Sequence, residues 1–441
     1  MEIYRDILVK LKEWKNREDR KPLLLFGARQ TGKTWVLRKF GEQEFEHCAY
    51  FNFDEEVRLG ELFEGSKDPN RIVEQLSHQV GFVITPVNTL IIFDEIQACP
   101  KAIESLKYFC EKAPDYAITA AGSLLGITLG HHDFSFPVGK VDHLDLYPVS
   151  FSEFLRASDK SLFNYYLSID SPSPIPQIFF DRLSEAFKAY RICGGMPAAV
   201  VAMLNGEGRK SDHVLSDILK DYTLDFVKHA TPLLASRIGH LWESIPSQLA
   251  KENRKFIYSV IRTGARAREY EDALIWLKNA GLIYQVPLCS KPFLPLKAYD
   301  QLNNFKIYAA DIGILRVLSE LSFGFFDTAP AEFREYKGAL TENYVLQSLV
   351  CQYGKTIRYW SSGNEAEIEF IIQNGTDVIP VEVKFSLSVK AKSLAVYDKT
   401  YNPKLRIRFS MMNLKQTGNL VNIPLFLADR TKTIVQGIIR G

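Results

Sequence analysis

The chain has 441 residues, 46% of them hydrophobic and 24% charged, so it is neither disordered nor fibrous and is long enough for about two to four domains. A formal net charge of +2 excludes a whole-chain field for nucleic acid or membrane, and any such binding has to be local. Six scattered cysteines without a C-x-x-C pair, no secretory signal at the start, and apolar runs short of the ~18 residues of a membrane helix predict a cytoplasmic protein with reduced thiols and no membrane span.

Ile3, Ile7, Leu8, Leu11 and Trp14 recur at helical spacing and predict an amphipathic opening helix over 3–16 with a packing role. Leu23–Phe26 reads as a short buried strand. Behind it stand Gly27, Ala28, Arg29, Gln30, Thr31, Gly32, Lys33 and Thr34, and then a helix-like stretch, Trp35–Phe40. Such a spacing hands a strand to a helix whose first N–H groups face an anion, which makes it a phosphate-binding loop (P-loop). Gly27 and Gly32 allow the turn and the close backbone approach, Lys33 brings a charge to the β and γ phosphates, and the Thr34 hydroxyl serves Mg²⁺. ATP and Mg²⁺ are the expected cofactors.

Cys48–Phe53 reads as a strand ending at Asp54, Glu55 and Glu56, acids that either approach the nucleotide or sit in a solvated loop. A helix is expected over 70–81. The continuous apolar run Leu90–Phe93 is a strand buried on both faces, and it ends in Asp94 and Glu95. Asp94 is placed to hold the metal and Glu95 to polarise the attacking water. A helical pattern over 102–111 precedes a buried strand, 116–123, where Ser123 or Thr119 could sense the γ-phosphate; Ser123 reads equally well as part of a Gly-Ser turn. Alternating strands and helices imply a parallel sheet with ligands at the carboxyl ends of its strands. His131 and His132 read as a surface pair, since a metal site needs more ligands.

The order G-A-R-Q-T-G-K-T, Tyr50–Asp54, L-I-I-F-D-E-I-Q, A-A-G-S, L-Y-P-V-S-F-S-E-F-L at 146–155 and C-G-G-M-P at 193–197 resembles a prokaryotic family of predicted AAA+ ATPases. Its members carry a C-terminal domain of unknown function that looks like a PD-(D/E)XK nuclease. The resemblance implies an α/β chain in three parts: a P-loop AAA+ type parallel-sheet domain (1–230), a winged-helix segment (231–325) and a small α/β nuclease-like domain (331–441). One departure is Gly139-Lys140, where the family usually has Gly-Arg, a candidate finger toward a neighbouring subunit of a homo-oligomer. Lysine keeps the charge without the planar fork. Arg156 and Arg191 are the unplaced alternatives.

Residues 157–179, with Ser171-Pro-Ser-Pro174, read as a loop; 182–190 as a helix; and Cys193–Pro197 as a sharp turn. Asp221, Asp225, Lys228 and His229 form a charged helical face. Helices over 245–252, 255–261 and 268–280, followed by a strand from Gly281, suit a winged helix. Arg262, Arg266 and Arg268 open or precede its third helix and could neutralise DNA phosphates. The last domain holds 15 Lys+Arg against 10 Asp+Glu. A helix over 338–350 carries Glu342. Strand 365–373 turns at Asn374-Gly375 and returns as 378–384, with Glu382 and Lys384 on one face. By the nuclease resemblance Glu369, Glu382, Lys384 and Glu342 form a Mg²⁺ site, with Glu369 standing where family members have Asp, one methylene longer. Two readings follow. One is an ATPase acting on DNA; the other is a nucleotide-gated interaction module whose C-terminal domain is inactive and binds a protein or nucleic-acid partner.

Overall fold

The computed structural model describes residues 1–123, 125–128, 135–251, 254–324, 334–363, 365–385 and 392–440. His131 and His132 lie outside them. The chain falls into two compact units, Arg5–Tyr147 with Asn279–Gly281, and Met1–Tyr4 with Pro148–Lys278 and Leu282–Gly441.

The first unit runs α1 (Ile7–Lys15), β1 (Leu23–Phe26), α2 (Lys33–Glu44), β2 (His47–Asn52), α3 (Pro69–Val80), β3 (Thr89–Asp94), α4 (Pro100–Lys112), β4 (Ala117–Ala121) and β5 (Asp142–Asp145). Its strands form a sheet in the order β2-β3-β4-β1-β5, parallel throughout. Period-2 alternation divides each apolar run between two cores. Leu23, Leu25, Leu90 and Ile92 pack with Leu11, Trp14, Leu37 and Phe40 of α1 and α2. Leu24, Ile91 and Phe93 pack with Ile72, Leu76, Ile103 and Leu106 of α3 and α4. Helices on both faces therefore drive all carboxyl ends of the strands to one edge, and this is the parallel-sheet P-loop fold of AAA+ type.

The second unit begins with α5 (Phe151–Ser158) and α6 (Lys160–Leu167). The loop expected over 157–179 is corrected by α6. Asp159 caps it by accepting from the Leu162 N–H at 2.9 Å, and Leu162, Phe163 and Tyr166 are its buried face. Only the stretch around Ser171–Pro174 lacks regular structure. Next come α7 (Gln177–Cys193), α8 (Pro197–Leu204), α9 (Gly208–His229), α10 (Pro232–Leu249), α11 (Tyr258–Ile261), α12 (Ala267–Asn279), β6 (Ile283–Cys289), β7 (Asp300–Ala309) and α13 (Ile312–Leu318). Between α7 and α8, Gly194 has φ +64, and a Cβ there would lie 2.4 Å from Asp311 Oδ1 and 2.5 Å from Gly313 N. The turn needs glycine for space as well as for dihedral freedom.

The remainder is α14 (Arg334–Tyr353), β8 (Arg358–Ser361), β9 (Glu367–Asn374), β10 (Asp377–Val383), α15 (Lys392–Tyr401), β11 (Arg406–Ser410), β12 (Lys415–Thr417), β13 (Leu420–Pro424) and α16 (Thr431–Arg440). β9 and β10 are the expected hairpin, with Asn374 opposite Asp377. They sit in a mixed sheet ordered β12-β13-β11-β10-β9-β8-β6-β7, in which β6 runs parallel to β8 at Leu288 and Tyr359.

Asp429 fastens this sheet's end to α5. Its carboxylate accepts from the Ser152 N–H at 3.0 Å, and burial pushes it up to about 6, against the pull of Ser152 and Ser348. The folded value lies above the unfolded one. Its neutral form therefore favours folding fully at low pH, and that contribution is lost as pH rises through about 6. Asp429→Asn keeps the acceptor and cannot ionise. Its stability relative to wild type should rise between pH 4 and 6.5 by on the order of 1–3 kcal/mol and then level off. Urea midpoints across that range check it; a difference independent of pH would refute the assignment.

Candidate functional sites

β1 ends at the P-loop, whose backbone takes left-handed values at Gln30 (φ 65) and Gly32 (φ 92) before α2 opens at Lys33. A Cβ on Gly27 would come within 2.4 Å of Leu146 O. Lys33 is buried, and its Nζ donates to Gly27 O and Ala28 O, each at 3.0 Å. Burial lowers it to about 8, with Glu95 and Asp94 holding it up. The loop is braced from below: the buried Arg5 guanidinium donates to Thr31 O at 2.9 Å and to Tyr147 O at 2.6 Å.

At the end of β3, Asp94 Oδ2 accepts from Thr34 Oγ1 at 2.6 Å and from the Tyr50 hydroxyl at 2.8 Å. Thr34 and Asp94 thus come together from two elements and offer two hard oxygens on one spot, a donor set that fits Mg²⁺. Burial and then Asp94 push Tyr50 up to about 12, and the Arg38 guanidinium lies 3.7 Å from its ring centroid. Glu95 follows in a left-handed conformation, φ 48, which turns its side chain out of the strand alternation. Its Oε2 accepts from Gln97 Nε2 and, at 3.3 Å each, from Ser123 N and Oγ. Of the two sensor candidates, Ser123 lies beside Glu95, whereas Thr119 is fully buried and donates to Ile91 O.

Asp54, Glu55 and Glu56 are exposed. Lys140 pairs with Glu111 at 3.0 Å. In the second unit Arg156 stacks near Tyr4 and Phe163, and Arg191 near Phe187 and Phe385.

The second unit gathers the other predicted group. Glu342 on α14, Glu369 on β9 and Glu382 on β10 are all buried. Lys384 Nζ lies 3.3 Å from Glu382 Oε1 and 3.6 Å from Glu369 Oε1. Burial, then Glu342 and Glu382, raise Glu369 to about 7 against the pull of Lys384. Glu342 is ion-paired with Arg254 and accepts from the Tyr308 hydroxyl at 3.4 Å. Among the described residues no group of three or more His, Cys, Asp and Glu side chains is arranged to hold a metal ion. With these ion pairs in place the residues do not fit the Mg²⁺ that the nuclease resemblance implies.

Arg5, Tyr50, Gln97 and Arg254 escaped the sequence reading. Two of them carried a signal: Gln97 closes the L-I-I-F-D-E-I-Q run, and Tyr50 lies on the strand beside β3, two residues from Asn52, which is in register with Asp94.

Residues 19–155 match the family model described as AAA domain, residues 184–323 a domain of unknown function (DUF8612), and residues 337–426 another (DUF4143). A comparison with curated proteins gives no match. Among solved structures, the Aeropyrum pernix ORC1 protein in complex with DNA is 14% identical, over 73% of this chain and 93% of that one, at a TM-score of 0.28. The Aeropyrum pernix ORC2 protein in ADPNP–ADP complexes is 13% identical, over 72% and 93%, at 0.34. The signal transduction ATPase PH0952 of Pyrococcus horikoshii is 12% identical, over 80% and 46%, at 0.27. Superpositions this loose transfer no residue or partner. The matched model and the sheet order, P-loop and strand-end acids of the same segment agree: residues 19–155 form a P-loop ATPase domain of AAA+ type.

Proposed function

We propose that the chain is a Mg²⁺-dependent ATPase that acts on DNA. The observation that carries the reading is the hydrogen bond of Thr34 to Asp94, with Lys33 and Glu95 at the same edge of the sheet. Lys33 and the loop N–H groups hold phosphates, Thr34 and Asp94 would hold the metal, and Glu95 takes the proton of the attacking water. When bound, the metal supplies charge neutralisation on the β and γ oxygens. Ser123 orients Glu95.

DNA as partner rests on the segment 231–325, where three helices lead into the β6–β7 hairpin, the order of a winged helix. Arg262, Arg266 and Arg268 are exposed there. Under this reading 1–230, 231–325 and 331–441 are its ATPase, winged-helix and nuclease-like parts, and a homo-oligomer supplies any finger in trans.

A second reading is favoured by the ion pairs of the carboxylate centre. With Arg254 on Glu342 and Lys384 between Glu369 and Glu382, the C-terminal domain is a nuclease-like binding platform rather than a cutter. ADP release by the full chain with and without duplex DNA, with the DNA resolved on a gel, separates the two. Stimulation with cutting supports an ATP-controlled nuclease. Stimulation without cutting supports the platform, and hydrolysis indifferent to DNA overturns DNA as the partner.

A further inference from the structure

The carboxylate centre holds three buried acids on three elements, and a side-chain cation already sits where each acid would otherwise need one. Lys384 serves Glu369 and Glu382. The outer Glu367 pairs with the fully buried Lys306. Glu342 is served from 88 residues away, by Arg254. The stretch 254–257 delivers that guanidinium, and several contacts set it. The buried Gln248 exchanges hydrogen bonds with Ile257 N (3.0 Å) and O (2.9 Å), Phe256 N donates to Phe305 O at 2.8 Å, and Arg254 itself takes φ 49. Few non-glycine residues adopt that region without a reason in the surroundings. Arg254 Nε donates back to Leu249 O at 3.3 Å.

One acceptor is left over. Glu382 Oε2 is buried and has no hydrogen-bond partner among the described residues, and its residue is only 1% exposed. A buried carboxylate oxygen without a donor is costly and marks a position suited to a cation. Among the described residues the centre therefore has one more acceptor than its side-chain cations satisfy, and one of its acids is turned toward an arginine.

We propose that Arg254 is a built-in substitute for a divalent cation in this centre: its guanidinium holds Glu342 in the ion pair, and the centre takes up a metal only when Arg254 is withdrawn. The inference rests on the nuclease-like reading of Glu342, Glu369 and Glu382. A guanidinium needs no coordination sphere, whereas Mg²⁺ or Mn²⁺ demands several oxygens at once. While Glu342 is engaged, the remaining two acids share Lys384 and cannot complete a shell.

The test uses nucleotide-free full-length protein and Mn²⁺ as probe, with bound metal counted from the loss of the free-ion paramagnetic signal. Arg254→Ala should gain about one Mn²⁺ site at least tenfold tighter than any in wild type, and a second change, Glu369→Gln, should remove it. Arg254→Lys, which keeps a charge, should stay near wild type. Because an unpaired Glu342 costs stability, melting with added Mn²⁺ is the second readout: the metal should raise the melting temperature of Arg254→Ala and leave that of wild type unchanged. No added site and no Mn²⁺-dependent shift in Arg254→Ala overturns the proposal. So does a wild-type site of equal strength that Glu369→Gln abolishes. DNA cleavage is scored separately: a variant that gains Mn²⁺ yet cuts nothing removes the reading as an ATP-controlled nuclease and leaves the substitution of arginine for metal standing.

Discussion

Replacing Glu95 by Gln should cut ATP turnover by about 10²–10⁴-fold while nucleotide affinity stays within a few-fold of wild type. The shape of the side chain is kept and the proposed proton acceptor is lost. The left-handed backbone of Glu95 follows directly on Asp94, and Ser123 and Gln97 both donate to Oε2, which fixes the side chain from two sides. Holding a non-glycine residue in that region costs on the order of 1–3 kcal/mol, a strain that recurs at sites where geometry matters. Single-turnover hydrolysis together with fluorescent-nucleotide titration separates chemistry from binding. Turnover retained within threefold would remove Glu95 from the mechanism.

Lys33→Ala should have the second largest effect, a loss of ATP affinity of about 10²-fold or more without unfolding. Its ammonium is buried and, among the described residues, hydrogen-bonded to Gly27 O and Ala28 O, two neutral carbonyls. Burial lowers its pKa to about 8, a desolvation cost that an arriving anion would offset. Phosphate oxygens supply a charge-assisted partner, and such bonds are roughly twice as strong as neutral ones. Equilibrium titration with a labelled nucleotide checks this, and an unchanged melting temperature shows that the fold survives. Affinity within threefold of wild type would mean that the loop N–H groups alone hold the phosphates.

What was legible in the sequence is what is local. The P-loop, the strand ending in Asp94 and Glu95, and the β9–β10 hairpin are runs of neighbouring residues whose chemistry follows from spacing. The convergence of Glu369, Glu382 and Lys384 follows from two-residue alternation across one turn. Helix α6 escapes the sequence because eight residues carry only two turns of periodicity and Ser171–Pro174 gives the whole stretch the look of a loop. Arg5, Tyr50, Gln97 and Arg254 act over 26 to 142 residues of separation or through a rotamer that no spacing encodes. An arginine in a loop announces neither its burial nor its partner.

The parallel pairing of β6 with β8 reaches beyond architecture. Leu288 and Tyr359 are joined across a connection of about 70 residues, so the hairpin and the carboxylate strands close as one sheet. A fragment cut near residue 330 would leave the β8 margin bare, with its N–H and C=O groups open to strands of other molecules. Such a piece should precipitate or pair with its own kind. Biochemistry on the C-terminal part is therefore meaningful only when β6 and β7 travel with it.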